Sequence, residues 1–265
     1  AKTVVAPLDR LKILIQVSDT AKFTVKEGSK RLRETVATDG VLGLWRGNSA
    51  TILRVLPYAG LHYMTHEYFE QRLLAQEGGQ RLSSMGRFSA GAGAGAVATL
   101  ATYPLDVIRA KMAVTSKSAT PTVVDTVRFL MREGNGGLRP LFQGLTPTLL
   151  GIVPYSGTTW LTYETLKDAA EYMPGGRETT TNKVLCGMVA GLVGQSVTYP
   201  LDVIRRRMQV KHEGAMWEVM KGSFQAGGTR ALFKGLSLNW FKGPLATTVS
   251  LNTFEYIKAF VQKQQ

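Results

Sequence analysis

The chain of 265 residues has little of what disulfide-bonded, metal-binding or catalytic proteins are built from. Its one cysteine, Cys186, cannot form a disulfide framework, and we expect it to be buried as a small apolar side chain. The histidines His62, His66 and His212 have no Cys or His companion at metal-ligand spacing. No Ser/His/Asp arrangement typical of a nucleophilic enzyme can be recognised. We therefore expect no metal, no cofactor and no enzymatic activity.

Charges are missing from three long stretches of the sequence. Residues 88–105 and 184–201 each form a run of 18 uncharged residues, and residues 140–163 form a run of 24. Roughly 18 such residues are enough for a helix to cross the hydrocarbon layer of a membrane. The glycines of Gly91-xxx-Gly95 and Gly187-xxx-Gly191 lie at matching positions of two runs, and this spacing predicts close helix packing. Membrane spans are favoured over the buried helices of a large soluble protein.

Acidic residues are also scarce, with 19 Asp and Glu against 32 Lys and Arg, and the resulting net charge of +13 is unevenly placed. Lys and Arg outnumber acids eight to four in residues 10–46, six to two in 109–139 and eight to two in 205–242. The alternate loops, 70–81 and 171–183, are neutral. This alternation marks one side of a bilayer. It argues against the alternative that the positive charge serves a soluble helical nucleic-acid-binding protein.

Three marks recur at a fixed period along the chain. The phrase Pro-Leu-Asp-x-x-basic begins at Pro7, Pro104 and Pro200, which are 97 and 96 residues apart. An aromatic-x-Gly block follows each phrase, and an acid lies 22 residues beyond each aromatic residue: Trp45 and Glu67, Phe142 and Glu164, Phe233 and Glu255. The period predicts three repeats, 1–78, 79–176 and 177–265, within one integrated transmembrane domain.

The sequence of each repeat predicts a long helix bent at its proline, a basic loop with a short surface helix, and a second long helix. The fold class is therefore an all-α membrane protein of six tilted helices in three pseudo-threefold repeats. The first long helices are expected at 1–17, 82–112 and 181–209, the second at 48–73, 146–170 and 236–262, and the surface helices near 25–38, 121–132 and 215–225. Pro7 follows only six residues where the other copies have about 20, so we expect the first helix to be truncated.

The acid and the final base of each phrase are three residues apart and share a helix face. Around a threefold axis, each acid can reach the base of the next repeat. The predicted pairs are Asp9 with Arg109, Asp106 with Arg205, and Asp202 with Lys12. We call these six residues the basic-side ring. Partly hydrated ion pairs contribute on the order of 1 kcal/mol each, which suits a gate that a ligand can open.

A second charged set is expected at the opposite ends of the second helices. Glu67 could pair with Lys167, and Glu164 with Lys258, whereas Glu255 would meet the acid Glu70. We call this set the outer ring and expect it to be the weaker of the two.

The three phrases resemble the signature of the mitochondrial carrier family over the whole chain. The resemblance implies six tilted helices around a central water-filled site that opens alternately to each side, in the mitochondrial inner membrane. It implies that the basic-side ring is a matrix gate braced by Gln16 and Gln209, with Ala113 as a departure, and that the outer ring is a cytoplasmic gate. It also implies a monomer in contact with membrane lipid, cardiolipin included.

A site for an asymmetric substrate must break the symmetry of the repeats. The position thirteen residues before each second-helix acid does so, with Arg54, Gly151 and Lys242 in the three copies. Two cations in mid-span indicate an anionic ligand, and Gly151-Ile152 leaves a flat apolar slot for a planar base. Tyr58 and Tyr155 could add stacking surface or serve only in packing. Arg206 is a further candidate for the cavity.

The Gly-Ile pair and the arginine run 205–207 resemble the nucleotide-carrying members of that family, including carriers of coenzyme A. The resemblance implies exchange of coenzyme A for an adenine nucleotide such as ADP or adenosine 3',5'-diphosphate. ADP/ATP carriers and ATP-magnesium/phosphate carriers remain the alternatives. The expected partner is thus a small anionic nucleotide, and not a nucleic acid.

Overall fold

A computed structural model describes residues 2–18, 25–77, 82–170, 180–211 and 214–262. Over these ranges the helices are α1 (Lys2–Val17), α2 (Val25–Asp39), α3 (Asn48–Glu77), α4 (Ser84–Val114), α5 (Val123–Glu133), α6 (Leu145–Ala169), α7 (Thr180–Lys211), α8 (Met216–Leu232) and α9 (Leu236–Gln262). The predicted all-α fold class is confirmed, and the helix bounds lie close to those expected from the sequence. Cys186 is buried, as predicted.

The six long helices contact one another in chain order. α1 contacts α3, α3 packs along α4, α4 contacts α6, α6 packs along α7, α7 contacts α9, and α9 returns to α1. In addition, the first helices α1, α4 and α7 contact each other in pairs. The helices therefore form a closed ring in which the first helix of every repeat reaches the other two.

Each long helix contains a proline in its interior. These prolines are Pro7, Pro57, Pro104, Pro154, Pro200 and Pro244. A proline inside a helix removes one backbone hydrogen bond and bends the helix axis. Bends at equivalent depth in α1, α4 and α7 explain why these helices meet at one end of the ring.

The small residues that allow close packing are not the ones predicted. A Cβ atom added to Gly91, Gly95, Gly187 or Gly191 would have open space around it, so the expected role of these glycines is wrong. Gly93 is the close contact instead, because a Cβ there would lie 2.9 Å from the Phe69 ring of α3. Close packing between α3 and α4 therefore depends on Gly93, which lies between Gly91 and Gly95.

The aromatic-x-Gly blocks tie the repeats together. The Arg46 side chain donates to the carbonyl oxygens of Met112 at 2.8 Å, Thr115 at 2.7 Å and Thr120 at 2.7 Å, at the carboxyl end of α4. In the third block, Lys234 donates to the Ser18 carbonyl at 3.1 Å, just beyond α1. A cation suits the partial negative charge at a helix carboxyl end. Each of these blocks therefore caps the first helix of the following repeat.

By length and hydropathy alone, one described helix qualifies as a membrane span, Thr181–Lys211 within α7. The short helices α2, α5 and α8 lie in the three basic loops, as the sequence predicts. α8 is interrupted at Gly227 and Gly228, whose backbone angles are not helical. Gly228 has φ of +62°, a conformation that glycine adopts without strain.

Candidate functional site

The basic-side ring is complete in the structure. Arg109 lies 2.6 Å from Asp9, and Lys12 lies 2.8 Å from Asp202. Arg205 is in direct contact with Asp106. Each pair joins the first helices of two different repeats, with the pairing that threefold geometry predicts. The three ion pairs close the ring of helices on the side of the basic loops.

Two of these carboxylates hold a second cation from mid-span. Arg54 of α3 lies 3.2 Å from the Oδ1 atom of Asp106, and Lys242 of α9 lies 2.5 Å from the Oδ1 atom of Asp9. The cations that the sequence assigned to a substrate are thus bound to the ring. Burial explains the arrangement, because a cation in mid-span is stabilised by a nearby carboxylate.

The third carboxylate, Asp202, has no such second cation among the described residues. The position equivalent to Arg54 and Lys242 in the second repeat is Gly151, which offers no side chain. The cation of this pair, Lys12, donates to the Asn239 side chain at 3.1 Å as well as to Asp202. The asymmetry expected among the three copies therefore appears in the number of cations that each aspartate contacts: two for Asp9, two for Asp106 and one for Asp202.

A cavity of about 320 Å³ lies at the level of the ring. Six of the seven predicted substrate residues line it, and Lys242, directed at Asp9, is the exception. The six are Arg54, Tyr58, Gly151, Ile152, Tyr155 and Arg206. The Arg206 guanidinium is held by Gln209 at 2.7 Å. Sequence reasoning missed four further polar lining residues, which no symmetry argument singles out: Thr99, Thr148, Gln195 and Thr198.

Two buried tyrosines next to the ring were also missed. The Gln209 amide donates to the Tyr103 hydroxyl at 3.0 Å, and the Gln16 amide donates to the Tyr199 hydroxyl at 3.1 Å. Each hydroxyl in turn donates to the backbone of an aromatic-x-Gly block. Both tyrosines immediately precede a signature proline, which is the signal that could have found them.

The first copy lacks this tyrosine, with Ala6 in its place, and the glutamine that would face it is Ala113. Both partners of the hydrogen bond are therefore absent from the seam between α1 and α4. Arg10 occupies that seam, donating to the Ala113 carbonyl at 3.0 Å and to Asp39 at 2.9 Å. The departure at Ala113 is thus matched by a different anchor between the same two helices.

The outer ring is not formed among the residues that the structure describes. No ion pair joins Glu67 to Lys167 or Glu164 to Lys258 in those ranges; Glu67 instead accepts from Gln71 at 3.4 Å. The side chain of Glu255 lies outside the described residues. Ion pairs therefore close the ring of helices at the basic side, whereas the predicted outer ion pairs are not formed among the described residues.

One carboxyl group in the loops has a perturbed pKa. Burial raises the pKa of Asp39, but this effect is outweighed by a backbone hydrogen bond from Lys117 and by the Arg10 guanidinium. The net result is a pKa below the ordinary value of 3.8. Asp39 is therefore held ionised where α2 meets α1 and the end of α4.

A ring of six long helices in three copies, closed by ion pairs at one end beneath a cationic cavity, defines a membrane transport protein. The family model described as "Mitochondrial carrier protein" matches residues 1–77, 80–173 and 176–265. The chain therefore belongs to the mitochondrial carrier family, and it is a multi-pass protein of the mitochondrial inner membrane.

Three relatives show how far the similarity extends. The mitochondrial coenzyme A transporter SLC25A42 of Xenopus laevis is 45% identical, over 100% of this chain and 83% of the relative. The human protein of that name is 42% identical, over 100% and 85%. The mitochondrial carrier protein CoAc1 of Zea mays is 36% identical, over 98% and 83%. These alignments span all three repeats.

Proposed function

We propose that this protein exchanges coenzyme A for adenine nucleotides across the mitochondrial inner membrane by alternating access. The observation that carries the proposal is the excess of cations at the cavity. Over the cavity and the adjoining basic-side ring, three aspartates face six cations: Lys12, Arg54, Arg109, Arg205, Arg206 and Lys242. An anion with several phosphate groups would neutralise the excess, and coenzyme A and ADP are both such anions.

The other half of the substrate requires a surface for its base. Gly151 and Ile152 offer a flat apolar wall on α6, and Tyr155 lies one turn beyond them on the same wall. A purine stacks well on such surfaces. The names of the relatives support the choice of coenzyme A among nucleotide-containing anions.

Binding and gate opening are linked through the doubly bound aspartates. Phosphate oxygens that approach Arg54 and Lys242 compete with Asp106 and Asp9 for the same cations. Each cation that turns to the ligand leaves its aspartate with one partner instead of two. A ligand therefore weakens the basic-side ring in proportion to its differential affinity for the open state.

The proposed cycle alternates between two charged rings. The basic-side ring acts as the matrix gate, which Gln16 and Gln209 brace through the neighbouring tyrosines. The outer ring acts as the cytoplasmic gate and forms its pairs when the matrix gate opens. Because the third acid of the outer ring would meet Glu70, two pairs are available there, and the cytoplasmic gate is the weaker.

A single chain completes the ring of helices, so we propose that the monomer is the transporting unit. Lipid would occupy the grooves between repeats. One groove of about 1140 Å³ is lined by Gly144 and Trp217 at the beginnings of α6 and α8, and by Lys211 at the end of α7. Backbone N–H groups at helix beginnings and a lysine suit the phosphates of an anionic lipid such as cardiolipin.

Reconstitution tests the proposed exchange. Liposomes that contain the full chain and are loaded with ADP should take up labelled coenzyme A, and empty liposomes should not. Lys242→Glu should abolish this uptake, because the charge reversal places an acid beside Asp9. If loaded liposomes exchange ATP or phosphate but not coenzyme A, the proposed substrate is wrong and the ADP/ATP or ATP-magnesium/phosphate alternative replaces it.

A further inference from the structure

One face of α3 carries a series of ring contacts that begins in the proposed site and continues beyond it. The Arg54 guanidinium lies 4.8 Å from the centroid of the Tyr58 ring. The Tyr58 ring stacks on His62 at 5.9 Å, and His62 stacks on His66 at 6.3 Å, with interplanar angles of 27° and 22°. We call Tyr58, His62 and His66 the α3 ladder.

The ladder starts in the cavity and leads away from the basic-side ring. Arg54 and Tyr58 line the cavity, and each following member is one turn further along α3. From Arg54 to His66 the helix rises about 18 Å, at 1.5 Å per residue. All three ladder residues are half-buried, whereas Leu56, Tyr63 and Met64 on the other side of α3 are 72–81% exposed. The lipid-facing and ladder-bearing sides of α3 are thus distinct.

The ladder has hydrogen-bonding capacity that the protein leaves unused. Within the described ranges, His62 has ring contacts but no hydrogen bond to another residue. His66 has one polar neighbour, Glu70, whose Oε2 atom lies 3.6 Å from Nδ1. If Nδ1 carries the proton toward Glu70, Nε2 of His66 is left as an acceptor. Unused donor and acceptor positions on half-buried imidazoles offer partners to a polar ligand beside them.

Coenzyme A differs from the other proposed substrates in its pantetheine arm. The arm is a flexible chain with two amide groups, whereas ADP and adenosine 3',5'-diphosphate have no such extension. A neutral imidazole supplies one donor and one acceptor, which matches the N–H and C=O of an amide. The rings add apolar surface for the methylene groups between the amides.

We propose that the α3 ladder binds the pantetheine arm of coenzyme A and gives the carrier its preference for coenzyme A over shorter adenine nucleotides. This inference rests on the proposed function, because it takes the phosphates to lie at Arg54 and Lys242. From there the arm extends along α3 toward the open side. Adenine nucleotides bind between the ladder and the basic-side ring. Because they lack the arm, the ladder adds nothing to their affinity.

The test compares coenzyme A with 3'-phosphoadenosine 5'-diphosphate, which lacks the arm and ends in a free phosphate. Their dissociation constants are measured on the detergent-purified full chain, unaltered and as the double variant His62→Leu/His66→Leu. Leucine keeps the bulk and the helix propensity but removes the imidazole nitrogens. The matched control is Met64→Leu, on the lipid-facing side of the same turn.

The unaltered chain and the Met64→Leu control should bind coenzyme A more tightly than the shorter ligand. In the double variant, coenzyme A should weaken by about tenfold, the loss expected for two hydrogen bonds, with the shorter ligand unchanged. An unchanged preference, or equal weakening of both ligands, would overturn the ladder proposal alone. If the unaltered chain binds neither ligand, the proposed function falls, and the ladder proposal with it. Comparison of unliganded melting temperatures detects a variant that has simply lost its fold.

Discussion

Lys242 and Arg109 hold the same carboxylate from opposite sides: the Lys242 Nζ atom lies 2.5 Å from Oδ1 of Asp9, and Arg109 lies 2.6 Å from Oδ2. One partner belongs to the basic-side ring, and the other lies at a predicted substrate position. Asp106 repeats the relationship with Arg205 and Arg54. The ring and the substrate site therefore share two aspartates, and each should respond to changes in the other.

The first prediction concerns Lys242→Gln. The variant should melt at a lower temperature without ligand, because Asp9 loses one of its two cations, and coenzyme A should no longer raise that temperature appreciably. Thermal denaturation with and without coenzyme A measures both effects. Lys221→Gln removes the same charge from the exposed side of α8 and is the control. Ligand stabilisation that persists in Lys242→Gln would exclude Lys242 from the site.

The second prediction separates the two kinds of aspartate. Asp106→Asn should increase affinity for coenzyme A severalfold, because Arg54 loses its competing carboxylate, yet it should slow exchange by weakening the ring. Asp202→Asn should weaken the ring in the same way without the gain in affinity, since Asp202 pairs with Lys12 and not with a substrate cation. Titration calorimetry and liposome exchange measure the two quantities. Equal affinity changes in both variants would argue against the competition.

The architecture could be predicted from the sequence because symmetry imposes it. Once the three phrases are aligned, a threefold axis fixes which acid meets which base, and the structure has Asp9 against Arg109 as expected. The same symmetry could not predict that Lys242 bends to Asp9, because this depends on which anion is nearest in space. Periodicity was equally uninformative for Gly93, whose role is set by Phe69 on a neighbouring helix.

The contact between α1 and α4 is another feature that could not be predicted from the sequence. Copy-to-copy comparison identifies Ala113 as a departure but does not reveal that its missing partner is the tyrosine replaced by Ala6. That relationship requires knowledge of which helices touch. Arg10, which has valine at the equivalent positions of the other copies, occupies the gap through its contacts with Ala113 and Asp39.

The third prediction follows from the lowered pKa of Asp39. Since the folded-state pKa lies below 3.8, the ionised group stabilises the fold above that pH, and the contribution is lost as the pH falls through the lowered value. Asp39→Asn should therefore have a lower melting temperature than the unaltered chain at pH 7. The difference between the two melting temperatures should become smaller under acid conditions. Melting temperatures between pH 7 and pH 3 test this. Glu34→Gln is an exposed change on the same helix, and its difference in melting temperature from the unaltered chain should not become smaller in acid. A difference of constant size for Asp39→Asn would contradict the prediction.

The fourth prediction concerns the cap that Arg46 forms on α4. Arg46→Gln introduces the residue that the second copy has at this position, Gln143, and removes the charged donors from the carbonyls of Met112, Thr115 and Thr120. Charged hydrogen bonds of this kind contribute about 1.5–3 kcal/mol, so we expect a loss of about 2 kcal/mol and a fall in Tm of several degrees. Coenzyme A affinity should be unchanged, because the cap lies outside the cavity. Arg33→Gln on the exposed side of α2 provides the charge-matched control. A fall in coenzyme A affinity as large as the fall in stability would show that the cap also shapes the site, and an unchanged Tm would show that backbone hydrogen bonds alone hold the end of α4.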